Sequence, residues 1–386
     1  MAMVTGPRQV GKTTSSRTAA GDHRYYTWDR QSDRILMTRG PDAVAADLHL
    51  DRVRDSPVRI VFDEIHKNPR WRTFLKGFHD VYADDTKTIV TGSARLGFFR
   101  RSGDSLMGRY FLYRMHPVSL GELTQVRSMN TLKLDQLICP PQRIDDTAWN
   151  DLVTFGGYPE PFLKNDTRFY NRWCRLRREL LFREDVRELT RVEETGRIEV
   201  LGTLLEARAG SLLDYSSLAR DAGIAVDTAR RWTAILEALF HSFTVRPWFR
   251  NVPKSLRKQP KVYLWDWSLV REPGVRFENL VASHLLKAVH WWTDLGLGTF
   301  ELYYLRDKAK REVDFLVIRD GKPWFLVETK LSSDRNLSPA LEYFRNITGA
   351  DHAFQVVMDG HWSEIDCFNL TRPMIVPARI FLSQLV

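Results

Sequence analysis

The stretch Gly6-Pro7-Arg8-Gln9-Val10-Gly11-Lys12-Thr13 fits the spacing G-x-x-x-x-G-K-[ST]. Glycine at both ends lets backbone N–H groups turn inward around an anion. A helix starting after Gly11 would aim its positive end at the same place. A lysine there suits β- and γ-phosphate oxygens, and a threonine hydroxyl suits Mg2+. ATP and Mg2+ are therefore expected along Gly6, Pro7, Arg8, Gln9, Val10, Gly11, Lys12, Thr13 and Thr14.

Such a loop needs an acidic partner. Ile60-Val61-Phe62-Asp63-Glu64 reads as an apolar strand ending in carboxylates, at the strand end where ligands bind in parallel sheets. Asp63 is expected to hold Mg2+ through water beside Thr13, and Glu64 to polarise the attacking water. Thr91-Gly92-Ser93 ends a further strand, where Ser93 is a candidate sensor of the γ-phosphate. A plain strand-ending turn fits the same residues.

A second set of charged residues lies far along the chain. Asp314 falls in one strand-like run and Glu328-Thr329-Lys330 ends the next. Paired carboxylates hold a divalent metal that activates water against a phosphate, while a lysine orients the nucleophile. The pattern resembles the core of PD-(D/E)xK nucleases, and Glu278 matches the first-helix acid that is a further metal ligand there. Strand alternation sets a condition, because Asp314 must face Glu328 on one side of the sheet. A three-residue loop Asp320-Gly321-Lys322 achieves that, whereas a two-residue Asp-Gly loop puts Val327 opposite Asp314. The metal site is thus expected to require the longer loop. Ordinary charged ends of amphipathic strands remain the other reading.

The elements that must position these residues fall into three expected domains. Residues 1–135 alternate strand-like and helical runs, which implies an α/β domain with a parallel sheet. Strands are expected at Tyr25–Trp28, Val58–Phe62 and Thr88–Val90, and helices at Lys12–Ala20 and Trp71–Val81. Residues 116–150 read as a connection. Residues 150–270 are helical and end in a winged-helix pattern, with helices near Ser216–Asp221 and Val226–Leu239 and wing strands at Phe243–Val245 and Val262–Trp265. Thr228, Arg230 and Arg231 would face DNA in that module; a docking or linking module is the alternative. Residues 275–386 show an αβββαβ order, restriction-endonuclease-like in outline.

Taken in order, Gly6–Thr13, Ile60–Lys67 (IVFDEIHK), Thr91–Ala94 (TGSA), Ser105–Tyr110 (SLMGRY) and His116–Glu122 (HPVSLGE) resemble the AAA-type ATPases of prokaryotes that carry a DUF4143 domain. The likeness runs to about residue 335. It implies an AAA-like P-loop NTPase core joined to a winged helix and a nuclease-like domain. It also implies that Arg109 is a phosphate-sensing arginine, acting in cis or in trans; a surface ion pair is the competing reading. Members usually carry a helical segment before the first strand. Only five residues precede Gly6 here, so either the start codon lies elsewhere or that segment is absent, and the first strand, the adenine contacts and ATP affinity are what its absence would weaken.

Bulk properties narrow the rest. Net charge is +9, which allows a phosphate-rich partner such as DNA. Basic residues run from Arg168 to Arg191, interleaved with acids, and from Arg246 through Arg250, Lys254, Arg257 and Lys258 to Lys261, with no acid among them. The second run is the better candidate for nucleic acid. Cys139, Cys174 and Cys367 lack metal-ligand spacing, and the chain has neither a membrane-length apolar run nor a signal-like start. A cytoplasmic protein away from membranes is expected. Three functions stay open: an ATPase coupled to the later domains, a metal-dependent DNA nuclease with a nucleotide switch, and a non-enzymatic nucleotide-dependent DNA-binding regulator. Oligomeric state has no signature in the sequence.

Overall fold

Ile60, Val61 and Phe62 are consecutive apolar residues, a pattern that suits a strand covered on both faces. In the computed structural model all three are fully buried in the strand Val58–Asp63. The model describes residues 1–92, 106–124, 137–189, 195–249, 258–332 and 336–386. The chain divides into two compact units, Met1–His116 and Pro117–Val386.

The first unit holds a five-stranded sheet in the order β2-β3-β4-β1-β5. Its strands are β1 (Ala2–Thr5), β2 (Arg24–Thr27), β3 (Val58–Asp63), β4 (Thr86–Thr91) and β5 (Phe111–Arg114), and every pairing is parallel. The strand β1 lies between β4 and β5, so the loop leaving it emerges near the middle of the sheet's carboxyl edge. The helix α1 (Lys12–Ala20) follows that loop. Two helices had no counterpart in the sequence reading: α2 (Gln31–Arg39) and α3 (Pro41–Asp47). Gly40, at φ 115°, breaks one from the other, and Pro41 starts the second. Then α4 (Trp71–Tyr82) covers Phe62 with Phe74 and Phe78, both edge-on to it at ring-centroid distances of 5.6 and 5.5 Å.

The second unit begins with helices, among them Asp146–Phe155, Thr167–Leu180 and Thr195–Ala207. The helix Tyr215–Ala222 starts on the Asp214 carboxylate, which accepts from the Ser216 amide at 2.8 Å, and stops at Gly223 with φ 64°. The helix Val226–Ala238 buries Ala229, Trp232, Ile235 and Leu236 on one face. The hairpin β6 (Ser242–Pro247) and β7 (Lys261–Leu264) follows, bridged once to Leu212.

That hairpin does not stand apart as a wing alone. Pro247 and Arg246 pair in parallel with β8 (Phe300–Arg306), so the hairpin extends a seven-stranded sheet ordered β12-β11-β10-β9-β8-β6-β7. The remaining strands are β9 (Glu312–Arg319), β10 (Lys322–Lys330), β11 (His352–Val357) and β12 (Met374–Pro377). With the long helix Pro273–Asp294 before β8 and the helix Pro339–Thr348 before β11, the order αβββαβ is present.

The β9–β10 turn corrects the loop requirement. Arg319 pairs with Lys322, so the loop is the two residues Asp320-Gly321, both left-handed at φ 49° and 78°. A bulge between Pro323 and Phe325 then shifts the register by one residue, giving Val327 opposite Phe315. Continued by one step, that register faces Glu328 with Asp314. The bulge does what the longer loop was expected to do.

Candidate functional site

The phosphate loop owes its curl to three left-handed or extended residues: Gly6 at φ 155°, Gln9 at φ 63° and Gly11 at φ 100°. A Cβ on Gly6 would lie 2.4 Å from the Met115 carbonyl oxygen, so only glycine lets this turn pass so close to the backbone after β5. The Lys12 ammonium folds back over the loop and donates to the carbonyls of Gly6 at 3.0 Å and Pro7 at 2.6 Å. It is thereby held within the cup it is expected to serve.

Asp63 reaches the loop from β3. Its carboxylate accepts from the Thr13 hydroxyl at 2.9 Å, from the Tyr25 phenol at 2.7 Å and from the Thr91 hydroxyl. Thr91 comes from β4, which lies between β1 and β3, so strand order alone brings these groups together. Neither Tyr25 nor Thr91 was singled out by sequence reasoning. Tyr25 follows no motif, and Thr91 was passed over for Ser93, which lies outside the described residues. Burial first, and the bond to Asp63 second, push the Tyr25 phenol up to about 12.

Glu64 follows at φ 54° and ψ 23°, a left-handed conformation costly for a side chain with a Cβ. Its amide donates to the Thr91 carbonyl at 3.2 Å, which holds that conformation. The carboxylate lies 3.4 Å from the Lys67 ammonium and 3.7 Å from the buried His66 ring. Burial raises the Glu64 carboxyl above its ordinary range, against the opposing pull of Lys67.

Arg109 is not brought to this site. Its carbonyl accepts from the Met1 amino terminus at 3.1 Å, and Phe111 pairs with Ala2, so it sits at the amino end of β1 while the phosphate loop leaves the carboxyl end. Its guanidinium makes a two-pronged pair with Asp80, with Nη2–Oδ2 at 3.0 Å. The surface ion pair is what this structure contains.

In the second unit, Glu278, Asp314, Glu328 and Lys330 do converge. They are joined by two groups that sequence reasoning missed, Lys261 and Glu312. The Lys261 ammonium lies 2.6 Å from Glu312, 3.1 Å from Glu278 and 3.4 Å from Asp314. Tyr263 donates to Glu278 at 2.7 Å. Asp314 accepts from the Thr329 amide at 2.9 Å, and Lys330 pairs with Glu328 at 2.7 Å. The other oxygen of Glu328 is buried with no hydrogen-bond partner. Burial, then the nearby Asp314 charge, pushes the Glu278 and Glu328 carboxyls up to about 7. Glu312 was legible in principle, since it shares a strand face with Asp314. Lys261 gave no such signal; it read as the last member of a basic surface run.

That run is therefore corrected at its end: Lys261 is 4% exposed. Arg250, Lys254 and Arg257 lie outside the described residues. In the other run, Arg177 pairs with buried Asp266 at 2.7 Å, and Arg178 reaches Glu206 at 2.9 Å and Glu199 at 3.1 Å. These partners come from other elements rather than from the run's own acids. On the helix Val226–Ala238, Arg230 and Arg231 are exposed. Among the described residues no helix is long and apolar enough to cross a membrane, and no group of three or more His, Cys, Asp or Glu side chains is disposed to hold a metal ion.

Three stretches of the chain match family models. Residues 1–124 match the family model described as AAA domain, residues 146–273 the domain of unknown function DUF8612, and residues 273–369 the domain of unknown function DUF4143. Uncharacterized proteins of Mycobacterium tuberculosis and Mycobacterium bovis are each 28% identical over 366 residues, covering 88% of this chain and 72% of theirs. A solved structure of the Aeropyrum pernix ORC1 protein in complex with DNA is similar with a TM-score of 0.30 and 14% identity, over 73% of this chain and 86% of that one. Residues 1–124 of this chain thus resemble the AAA domain family, and residues 273–369 the DUF4143 family.

Proposed function

We propose that the first unit binds Mg-ATP between the phosphate loop and Asp63 and hydrolyses it slowly. The observation that carries this reading is the 2.9 Å bond from Thr13 to Asp63, which joins the loop's metal-binding hydroxyl to the acidic strand. The residues present fit the group. Lys12 already spans the cup between two carbonyls, and the Asp63 carboxylate is oriented by three hydroxyls. ATP, when bound, supplies the phosphoryl group to be transferred to water. Loop amides and Lys12 would bind its phosphates, and Thr13 and Asp63 would hold Mg2+. Glu64, raised by burial, would accept a proton from the attacking water.

Phosphate release tests this. Wild type should release phosphate in an Mg2+-dependent manner. Lys12→Ala should lose nucleotide binding, and Glu64→Gln should bind but release phosphate at least about 100-fold more slowly. Equal release by wild type and Glu64→Gln would end the ATPase reading.

A second reading concerns the partner. The helices Tyr215–Ala222 and Val226–Ala238, the bridge at Leu212 and the hairpin β6–β7 follow the order of a winged helix, and exposed Arg230 and Arg231 lie on its second helix. With a net charge of +9, we infer DNA as the partner of that module. Filter binding over a salt series should show affinity falling with salt, and less steeply for Arg230→Ala with Arg231→Ala. A flat response in wild type would exclude phosphate contacts. The widely spaced thiols Cys139, Cys174 and Cys367 form no disulfide, which favours a reducing, cytoplasmic setting.

A further inference from the structure

A nuclease-like sheet with acids on its first helix and middle strands implies a divalent metal among them. The residues of this chain do not fit one. The space between Glu278, Glu312 and Asp314 already contains a cation, because the Lys261 ammonium lies within 3.4 Å of an oxygen from each. An ammonium carries three N–H donors, and here three carboxylate oxygens surround it. The Lys261 side chain is 5% exposed, so bulk water screens it little. A divalent ion bound to the same oxygens would sit beside a fixed positive charge and compete for the same lone pairs.

We propose that the Lys261 ammonium takes the place of the divalent cation, making this cluster a metal-free joint rather than a metalloenzyme centre. The source of the lysine gives the joint its purpose. Lys261 opens β7, on the hairpin that follows the helix-turn-helix, whereas Glu278 lies on the long helix and Glu312 and Asp314 on β9. One side chain therefore ties the edge hairpin to both the helix and the middle of the sheet. Tyr263, two residues on in β7, adds its bond to Glu278. Lys330 supplies a second internal cation for Glu328, and Arg306 reaches Glu312 at 3.3 Å. The four carboxyls are thus partnered by three cations of the chain itself.

The test is Mn2+ binding by the full chain without nucleotide, in a Lys12→Ala background that disables the phosphate loop. Electron paramagnetic resonance should find only free Mn2+ with this protein. Bound Mn2+ that disappears on Asp314→Asn would overturn the proposal, and this arm needs no change at Lys261. Adding Lys261→Ala should lower the melting temperature and create a Mn2+ site where none was detectable, lost again with Glu278→Gln. A folded Lys261→Ala protein that gains no Mn2+ would also overturn it. Should Lys261→Ala fail to fold, Lys261→Gln, which is one bond shorter, keeps two N–H donors and carries no charge, provides the same comparison.

Discussion

Thr13 and Asp63, fifty positions apart in sequence, share a 2.9 Å hydrogen bond, and the same Asp63 oxygen accepts from Tyr25 at 2.7 Å. The Tyr25 phenol thereby fixes the rotamer in which Asp63 faces the phosphate loop. Tyr25→Phe removes one net hydrogen bond, worth about 1 kcal/mol. Half-saturation of phosphate release by Mg2+ should rise about two- to ten-fold, with maximal rate nearly kept. An unchanged Mg2+ titration would show that Tyr25 does not orient the acid.

Glu64 should impose an acid limb on the hydrolytic rate. A base must be deprotonated, and burial raises the Glu64 carboxyl above the ordinary 4.5. The rate should therefore fall, on acidification, at a higher pH than for an exposed carboxylate. Lys67 opposes that shift from 3.4 Å, so Lys67→Met should move the limb higher still. A pH profile of kcat/KM that is identical for the two proteins would reject this coupling.

The second unit should lose stability as pH rises toward neutrality. Glu278 and Glu328 are raised from 4.5 to about 7 by burial and by Asp314. A carboxyl raised in the folded state contributes stability that is complete below its unfolded value and lost as pH climbs through its folded value. The window is therefore about pH 4.5 to 7. Thermal unfolding across that range should show a falling midpoint, and Glu328→Gln should flatten the slope. A midpoint that rises with pH in wild type would contradict the assignment.

Arg177 and Arg178 are adjacent in sequence and should differ sharply in effect. Arg177 packs 3.8 Å over the Tyr158 ring and pairs with Asp266, which is 2% exposed. Arg177→Met leaves that carboxylate buried and unpaired, at a cost of about 3–5 kcal/mol. Arg178 is 30% exposed and its partners Glu206 and Glu199 are 22% and 48% exposed, so Arg178→Ala should cost no more than about 2 kcal/mol over the two pairs. Urea unfolding of the second unit's signal measures both, and equal losses would refute the distinction.

The sequence by itself determined the local pieces. Glycines at 6 and 11 with Lys12 and Thr13 specify the phosphate loop, since few backbones other than a curled one suit that spacing. Consecutive apolar residues ahead of Asp63 specify a buried strand with its acid at one end, and helical and strand periods specify the αβββαβ order. Tertiary structure alone decided who meets whom. The insertion of β4 between β1 and β3 brings Thr91 to Asp63, the β10 bulge restores the Asp314–Glu328 register, and β6 joins β8 so that Lys261 enters the acidic cluster. Each of these depends on pairing between distant segments. Such pairing is set by whole-sheet packing, and period or spacing within one segment carries no record of it.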